Sequence, residues 1–235
     1  KEWLFSDELD QHEKARLASL TEKEKEEMFY GPLAFGTAGM RGILDVGTNR
    51  MNVHTVKRAT KGLADYVNSL GAEARKRGVV ISYDTRRYSG EFAVAVSKVL
   101  SANGVKAWLY EDVRPVPMCS FAVRHLGAIC GVMITASHNP KEYNGYKVYD
   151  NRGCQFCTED AKNAIGYIND ITDFSVIPFS DSMDNITMIG EDVLSEFLKK
   201  VKEQSLYEEE SDLKIVYTPL HGTGNIPVRR MLEGM

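Results

Sequence analysis

Apolar residues recur along this chain with two alternating periods. Between residues 53 and 70, Val56, Ala59, Leu63, Tyr66 and Val67 fall on one side of a 3.6-residue repeat, which predicts a helix stopped by Gly71. Short continuous apolar runs follow at 79–83, 105–110 and 128–134, the pattern of strands buried on both faces. Between them lie helical stretches, one capped by Ser89 and running to Leu100, the other opened by Pro117 and running to about Leu126. A further strand is expected over 143–149, turning on Asn144-Gly145, and then a helix over 158–171 with Thr158 as its cap.

The flanks read differently. Residues 7–30 are charged and helical in period, with a narrow stripe of Leu9, Leu17, Leu20 and Met28, and Thr21 followed by Glu24 fits a capping box. Residues 172–189 are polar and irregular, and 191–201 form a helix with Leu194, Phe197, Leu198 and Val201 on one face. An acidic stretch at 205–212 reads as a linker, 213–217 as a fresh strand, and 218–224 as a turn before another helix.

Alternating strands and helices give an α/β class: a mixed, largely parallel sheet flanked by helices over residues 1–205, with the start of a second α/β domain at 206–235. In such sheets ligands gather beyond the carboxyl ends of the strands. The loops after Tyr83 and Ile134 both fall there and both carry polar chemistry.

Composition narrows the partners. With 43% hydrophobic and 26% charged residues and a net charge of −4, the chain gives no reason to expect nucleic acid or an anionic membrane. A site for a phosphorylated ligand must be built locally, from a few basic groups and backbone amides. No apolar run approaches the roughly 18 residues of a membrane span. The opening Lys1-Glu2-Trp3 leads into a charged segment rather than a signal peptide, so the expected compartment is the cytoplasm. The chain begins without Met and stops soon after a new strand and turn, which suggests a piece of a longer protein. Four cysteines include a C-x-x-C pair, Cys154 and Cys157, without the second pair or histidines a zinc site needs. Two small thiols near a turn describe them better than a redox motif does.

The densest chemistry is Thr135-Ala136-Ser137-His138-Asn139-Pro140 at the end of a buried run. Ser137 lacks the G-x-S-x-G elbow of a hydrolase, and His138, adjacent in sequence, is poorly placed as its base. On composition alone the segment is equally well a Ser/Asn/Pro turn. The six residues together resemble the phosphoserine loop of the α-D-phosphohexomutase family, the phosphoglucomutases and phosphomannomutases. Tyr143-Asn144-Gly145-Tyr146-Lys147, the loop from Phe35 to Gly42, Tyr83-Asp84-Thr85-Arg86-Arg87-Tyr88-Ser89 and Val216-Tyr217-Thr218-Pro219-Leu220-His221-Gly222 match that family in order.

The resemblance implies a phosphoryl-carrying Ser137 that interconverts a sugar 1-phosphate and a sugar 6-phosphate, glucose first, through a bisphosphorylated sugar. Phosphomannomutase, phosphopentomutase and a non-catalytic phosphosugar-binding module are the alternatives. It implies a catalytic set of Ser137, Lys147, Arg41 and His138, with Lys147 as general acid or base. Thr37, Gly39, Arg41, Asn139 and Arg86 are implied as phosphate or substrate contacts. Outside the resemblance, Lys147 reads as a strand-edge lysine, and Asp84 with Arg86 as loop supports or a surface ion pair. His221 and Gly222 are either structural or phosphate contacts. The family's cofactors are Mg2+, to which Ser137 would give a phosphoryl oxygen, and a glucose 1,6-bisphosphate-type activator. The Asp-x-Asp-x-Asp-Arg metal loop of the family is not in the sequence; Asp181-Ser182-Met183-Asp184 has the wrong spacing. These residues alone are therefore expected to be inactive. Expected partners are the phosphorylated sugar and the remaining domains of the same polypeptide.

Overall fold

The computed structural model describes residues 3, 9–36, 39–156, 158–172, 177–206 and 212–234. Two short helices open it, α1 (Gln11–Ser19) and α2 (Glu22–Phe29). Each starts with a reciprocal capping box, Asp10 with Glu13 and Thr21 with Glu24, so two otherwise orphaned amides are satisfied at each start. Leu9, Leu17, Leu20 and Met28 bury themselves with Val46 in a satellite cluster, the stripe expected from their spacing.

The body follows as β1 (Met40–Ile43), α3 (Val53–Ser69), α4 (Ala72–Arg77), β2 (Val79–Tyr83), α5 (Ser89–Ala102), β3 (Ala107–Tyr110), α6 (Val116–His125), β4 (Cys130–Ile134), β5 (Tyr143–Tyr149), α7 (Thr158–Asp170), β6 (Ile186–Ile189), α8 (Glu191–Lys202) and α9 (Asn225–Glu233). The strands form one six-stranded sheet in the order β1-β5-β4-β2-β3-β6. β4, β2, β3 and β6 run parallel, and β5 and β1 join antiparallel at the other edge. This is the mixed α/β sheet that the alternation of elements predicts.

Side chains alternate between two helical layers, as the two-residue period of a strand requires. Val79, Ile81, Cys130, Val132 and Ile134 pack beneath α3, α5 and α7, in a cluster that holds Val56, Leu63, Val96, Leu100 and Ile168. Val80 and Met133 face the other way, onto Met118, Ala122 and Val123 of α6 and Val193 and Leu194 of α8. Both faces of the central strands are covered, which is why these runs read as continuously apolar.

The structure corrects several expectations. Ser89 is the first residue of α5 rather than its cap; the cap position is Tyr88, in the left-handed conformation, and the Ser89 hydroxyl donates to Asp84 instead. Asn144-Gly145 lies inside strand β5, because the two residues pair with Gly42 and Arg41 of β1 rather than closing a turn. β1 forms within the segment read as a glycine-rich loop, and β6 within the stretch read as irregular. The strand expected at 213–217 is not among the strands of the described residues, and 214–217 belong to no ladder of the sheet. Residues 207–211, most of the expected linker at 205–212, lie outside the described residues.

Candidate active site

The polar loops gather where β2 and β4 end side by side. Tyr83 pairs with Ile134 at the last rung, so the segments starting at Asp84 and Thr135 leave the sheet together. β5 returns antiparallel along β4 and places Lys147 opposite Met133. β1 then lies along β5 with Arg41 opposite Gly145. The topology thus brings four segments far apart in sequence to one sheet end.

Two glycines permit that close approach. Gly39 has φ +95°, and a Cβ there would stand 2.0 Å from the Tyr146 carbonyl oxygen and 2.9 Å from the Lys147 Cα. A Cβ on Gly145 would meet the carbonyl oxygens of Thr135 at 2.6 Å and Met40 at 2.9 Å. Gly36 and Gly39 exchange both backbone hydrogen bonds. Thr37, expected to contact phosphate, lies outside the described residues, as does Cys157 of the C-x-x-C pair.

Ser137 is exposed at the head of its loop with φ 56°, the left-handed conformation that non-glycine residues rarely take. Its amide donates to the Thr135 hydroxyl at 3.0 Å. Its Oγ stands 3.4 Å from His138 Nδ1, so the turn at Ser137 brings the adjacent imidazole beside the hydroxyl despite their neighbouring positions. With Nδ1 unprotonated the ring would accept from the serine.

Arg86 is the clamp of this loop. One terminal nitrogen donates to the carbonyls of Pro140 and Tyr143, both at 2.9 Å. The other donates to those of Ser137 at 2.8 Å and Asn139 at 2.6 Å. Its Nε lies 3.6 Å from Asp84. The terminal nitrogens of this guanidinium bind backbone oxygens, which fits the loop support that the sequence offered for Arg86 alongside a phosphate contact. Asp84 is a second hub: one oxygen accepts from the Arg86 amide at 3.0 Å and the Ser89 hydroxyl at 2.9 Å, the other from the Thr135 hydroxyl. Asn144, fully buried, ties the two segments by donating to the Arg87 carbonyl and to Ser89.

Two cations lie on the β1–β5 side. Arg41 donates to the Asn139 side-chain oxygen at 2.9 Å, across 98 residues of chain. Burial pushes the Lys147 ammonium below the ordinary lysine range, the Arg41 charge pushes it further, and Asp84 opposes both in part. A lysine so placed gives up its proton more easily than an exposed one. Ser137 also lines a cleft of about 600 Å3, together with Thr85, Arg87, Asn139, Lys141, His221 and Thr223. The Thr85 hydroxyl donates to the His221 carbonyl at 3.1 Å, which joins the 218–224 turn to this edge through its backbone.

The described residues do not build a magnesium site. Among them no group of three or more His, Cys, Asp or Glu side chains could hold a metal ion, and the Asp84 carboxylate at the serine loop has both oxygens engaged by protein donors.

Sequence reasoning named Ser137, His138, Asn139, Lys147, Arg41, Gly39 and Arg86, and the fold brings all of them to one edge. It gave no site role of their own to Thr135, Ser89 or Asn144. A threonine two residues before the serine and an asparagine inside an apolar run were the available signals.

A model of the phosphoglucomutase/phosphomannomutase α/β/α domain I matches residues 32–174, which contain every one of these site residues. The chain belongs to the phosphoglucomutase/phosphomannomutase family. It is 38% identical over 215 residues to a phosphoglucomutase of Staphylococcus aureus strain USA300, and 37% identical to that of strain bovine RF122 / ET3-1. Each alignment covers 90% of this chain and 38% of the relative, so the chain spans well under half of the curated relatives it matches. Among solved structures, a putative phosphomannomutase from Thermus thermophilus aligns at TM-score 0.58 and 30% identity, over 74% of this chain and 36% of that one. The open form of the Paramecium phosphoprotein pp63/parafusin aligns at TM-score 0.63 over 87% of this chain and 42% of that one; at 14% identity it speaks for the fold alone.

Proposed function

We propose that this chain is the phosphoryl-carrying part of an enzyme that interconverts the 1- and 6-phosphates of a hexose, glucose first, with Ser137 as the carrier. The observation that supports this most is the presentation of Ser137: an exposed hydroxyl on a left-handed turn, on a loop clamped by Arg86, with Arg41 bonded to Asn139 of the same loop and its charge acting on Lys147.

In the forward half-reaction the sugar hydroxyl oxygen attacks the phosphorus of phosphorylated Ser137. The new P–O bond to the sugar forms, the P–Oγ bond breaks with its electron pair going to Oγ, and the sugar's proton passes by way of the Lys147 amine to that serine oxygen. The product is a bisphosphorylated sugar. After the sugar turns around, the Ser137 hydroxyl oxygen attacks the other phosphoryl group, that P–O bond to the sugar breaks, and the serine proton passes by way of Lys147 to the sugar oxygen. Such transfer asks the protein for alignment and positive charge rather than covalent invention. Arg41 supplies charge and paired N–H donors suited to phosphate oxygens, and Asn139 and His138 line the same loop.

A glucose 1,6-bisphosphate-type activator belongs to the proposal as the source of the serine phosphate. Mg2+ belongs to it only through carboxylates supplied from elsewhere in the polypeptide, and no step here runs through it. Cytoplasmic placement is part of the same reading; the observation behind it is that no described helix is long and apolar enough to cross a membrane. The similarity to a protein titled phosphomannomutase keeps mannose 1-phosphate as the second substrate to try.

The test is an assay of the full-length polypeptide on glucose, mannose and ribose 1-phosphates with glucose 1,6-bisphosphate present. Mass spectrometry should find one phosphate on the peptide that contains Ser137. Ser137→Ala should remove both the phosphate and the turnover; full activity in that variant would overturn the mechanism.

A further inference from the structure

We infer that Asp84 and Thr135 form a positioning relay that holds Ser137 in its presenting conformation: the Asp84 carboxylate fixes the Thr135 hydroxyl, and that hydroxyl takes the Ser137 amide. The inference rests on the phosphoryl-transfer reading and adds two residues which that reading does not use.

The direction of the relay follows from donor and acceptor counts. The Ser137 amide can only donate, so the Thr135 oxygen accepts at that 3.0 Å contact. The single hydroxyl hydrogen of Thr135 is then free, and it points to Asp84 Oδ2. Each member is fixed from outside the loop. The Asp84 amide donates to the Ile134 carbonyl at 3.2 Å, and its Oδ1 receives the Arg86 amide and the Ser89 hydroxyl. The Thr135 amide donates to the Gly145 carbonyl at 3.0 Å, and the residue is buried. The relay therefore ties the serine to the ends of β2 and β4 at once.

The geometry also explains why a relay is needed. At φ 56° the Ser137 backbone is sterically disfavoured, and something must hold it there. Arg86 holds the Ser137 carbonyl, on the C-terminal side of the twist. Thr135 holds the amide, on its N-terminal side. With both ends of the residue bonded, the Oγ carries no bond into the body of the protein and stays exposed. Hydroxyl and carboxylate do not touch the reacting atoms; they act through the backbone of the residue that does.

The test compares Thr135→Val, which keeps shape and loses the hydroxyl, with Thr135→Ser, which keeps the hydroxyl. In the full-length polypeptide turning over glucose 1-phosphate with glucose 1,6-bisphosphate, Thr135→Val should lower kcat on the order of 10²-fold with KM close to wild type, the signature of a misplaced reacting group. Thr135→Ser should recover most of that loss. Amide hydrogen exchange read at Ser137 should be slow in wild type and in Thr135→Ser, and fast in Thr135→Val. Wild-type kcat in Thr135→Val, or failure of Thr135→Ser to recover, overturns the relay while leaving the phosphoserine mechanism standing. If the wild type shows neither turnover nor phosphate on Ser137, the mechanism falls instead, and the exchange measurement alone decides the relay: unchanged protection in Thr135→Val overturns it.

Discussion

Two segments of this chain have the same outline in sequence, a short apolar run that feeds a polar turn. Cys130–Ile134 runs into Thr135, and residues 213–217 run into Thr218 and Pro219. The first is β4, paired with β2 on one side and β5 on the other, and buried at every position. The second has no ladder among the described residues; Val216 is 100% exposed and Ile215 56%. The turns differ in the same way. Arg86 alone makes four hydrogen bonds to backbone carbonyls of the loop after β4 and the residues beyond it, whereas the 218–224 turn is joined to the sheet edge through Thr85 and His221. The helix that follows, α9, is held to α8 by the exposed pair of Arg230 and Glu191, a kind of contact that contributes little. An apolar run nominates a strand, but neighbours that complete its hydrogen bonds and cover its faces make one.

The largest expected effect tests the buried half of that contrast. Ile134 is wholly buried in the last rung of β4, just before the serine loop. Ile134→Ala should destabilise the chain by about 2–5 kcal/mol, the range for truncating a well-packed core side chain. Urea unfolding gives the value. A loss below about 1 kcal/mol would mean that β4 is no better supported than the 213–217 segment, and the contrast would fail.

The same contrast explains what was legible. α3, α5, α6 and the parallel strands β2, β3 and β4 could be read because each buries a face or both faces, and burial prints a period or an apolar run. β1 could not, because Met-Arg-Gly-Ile at a sheet edge alternates over only four residues and resembles loop. β6 hid for the same reason, with two of its four residues exposed. At the site, Ser137, Lys147 and Arg41 were found through a resemblance that spans the chain, not through local spacing. The Asp84–Thr135 contact joins residues 51 apart, and the Arg41–Asn139 contact residues 98 apart; no periodicity reports such pairs. For Arg86 the sequence left a loop support and a phosphate contact side by side, because an arginine that binds carbonyls and one that binds phosphate look alike until the fold shows where its donors go.

A smaller effect sharpens the comparison at the site itself. In the tightly folded half two cations are pressed together, Lys147 beside Arg41. Arg41→Gln removes the second contributor to the low Lys147 pKa and should move its titration toward the ordinary value near 10.4, while burial keeps it below. The sign for stability follows. A lysine with a lowered folded pKa costs stability while protonated in both states, and the cost fades as pH rises through the folded value toward the unfolded one. Wild type should therefore gain stability relative to Arg41→Gln across that alkaline window. The Lys147 Nζ resonance followed by NMR checks the shift; a titration that stays put or moves down would show that the two charges are not coupled.

The smallest effect belongs to the other half. Val216 is fully exposed, so replacing it removes no packing and leaves no buried group without a partner. Val216→Ser should change the stability of this chain by no more than about 0.5 kcal/mol, against the several kcal/mol expected at Ile134. The two values come from the same urea titration and differ only in whether the apolar residue has neighbours. A loss above about 1 kcal/mol at Val216 would mean that the segment is covered in solution, by pairing with a second copy or by folding onto the sheet. Dilution separates those two, because only the first makes the loss depend on protein concentration.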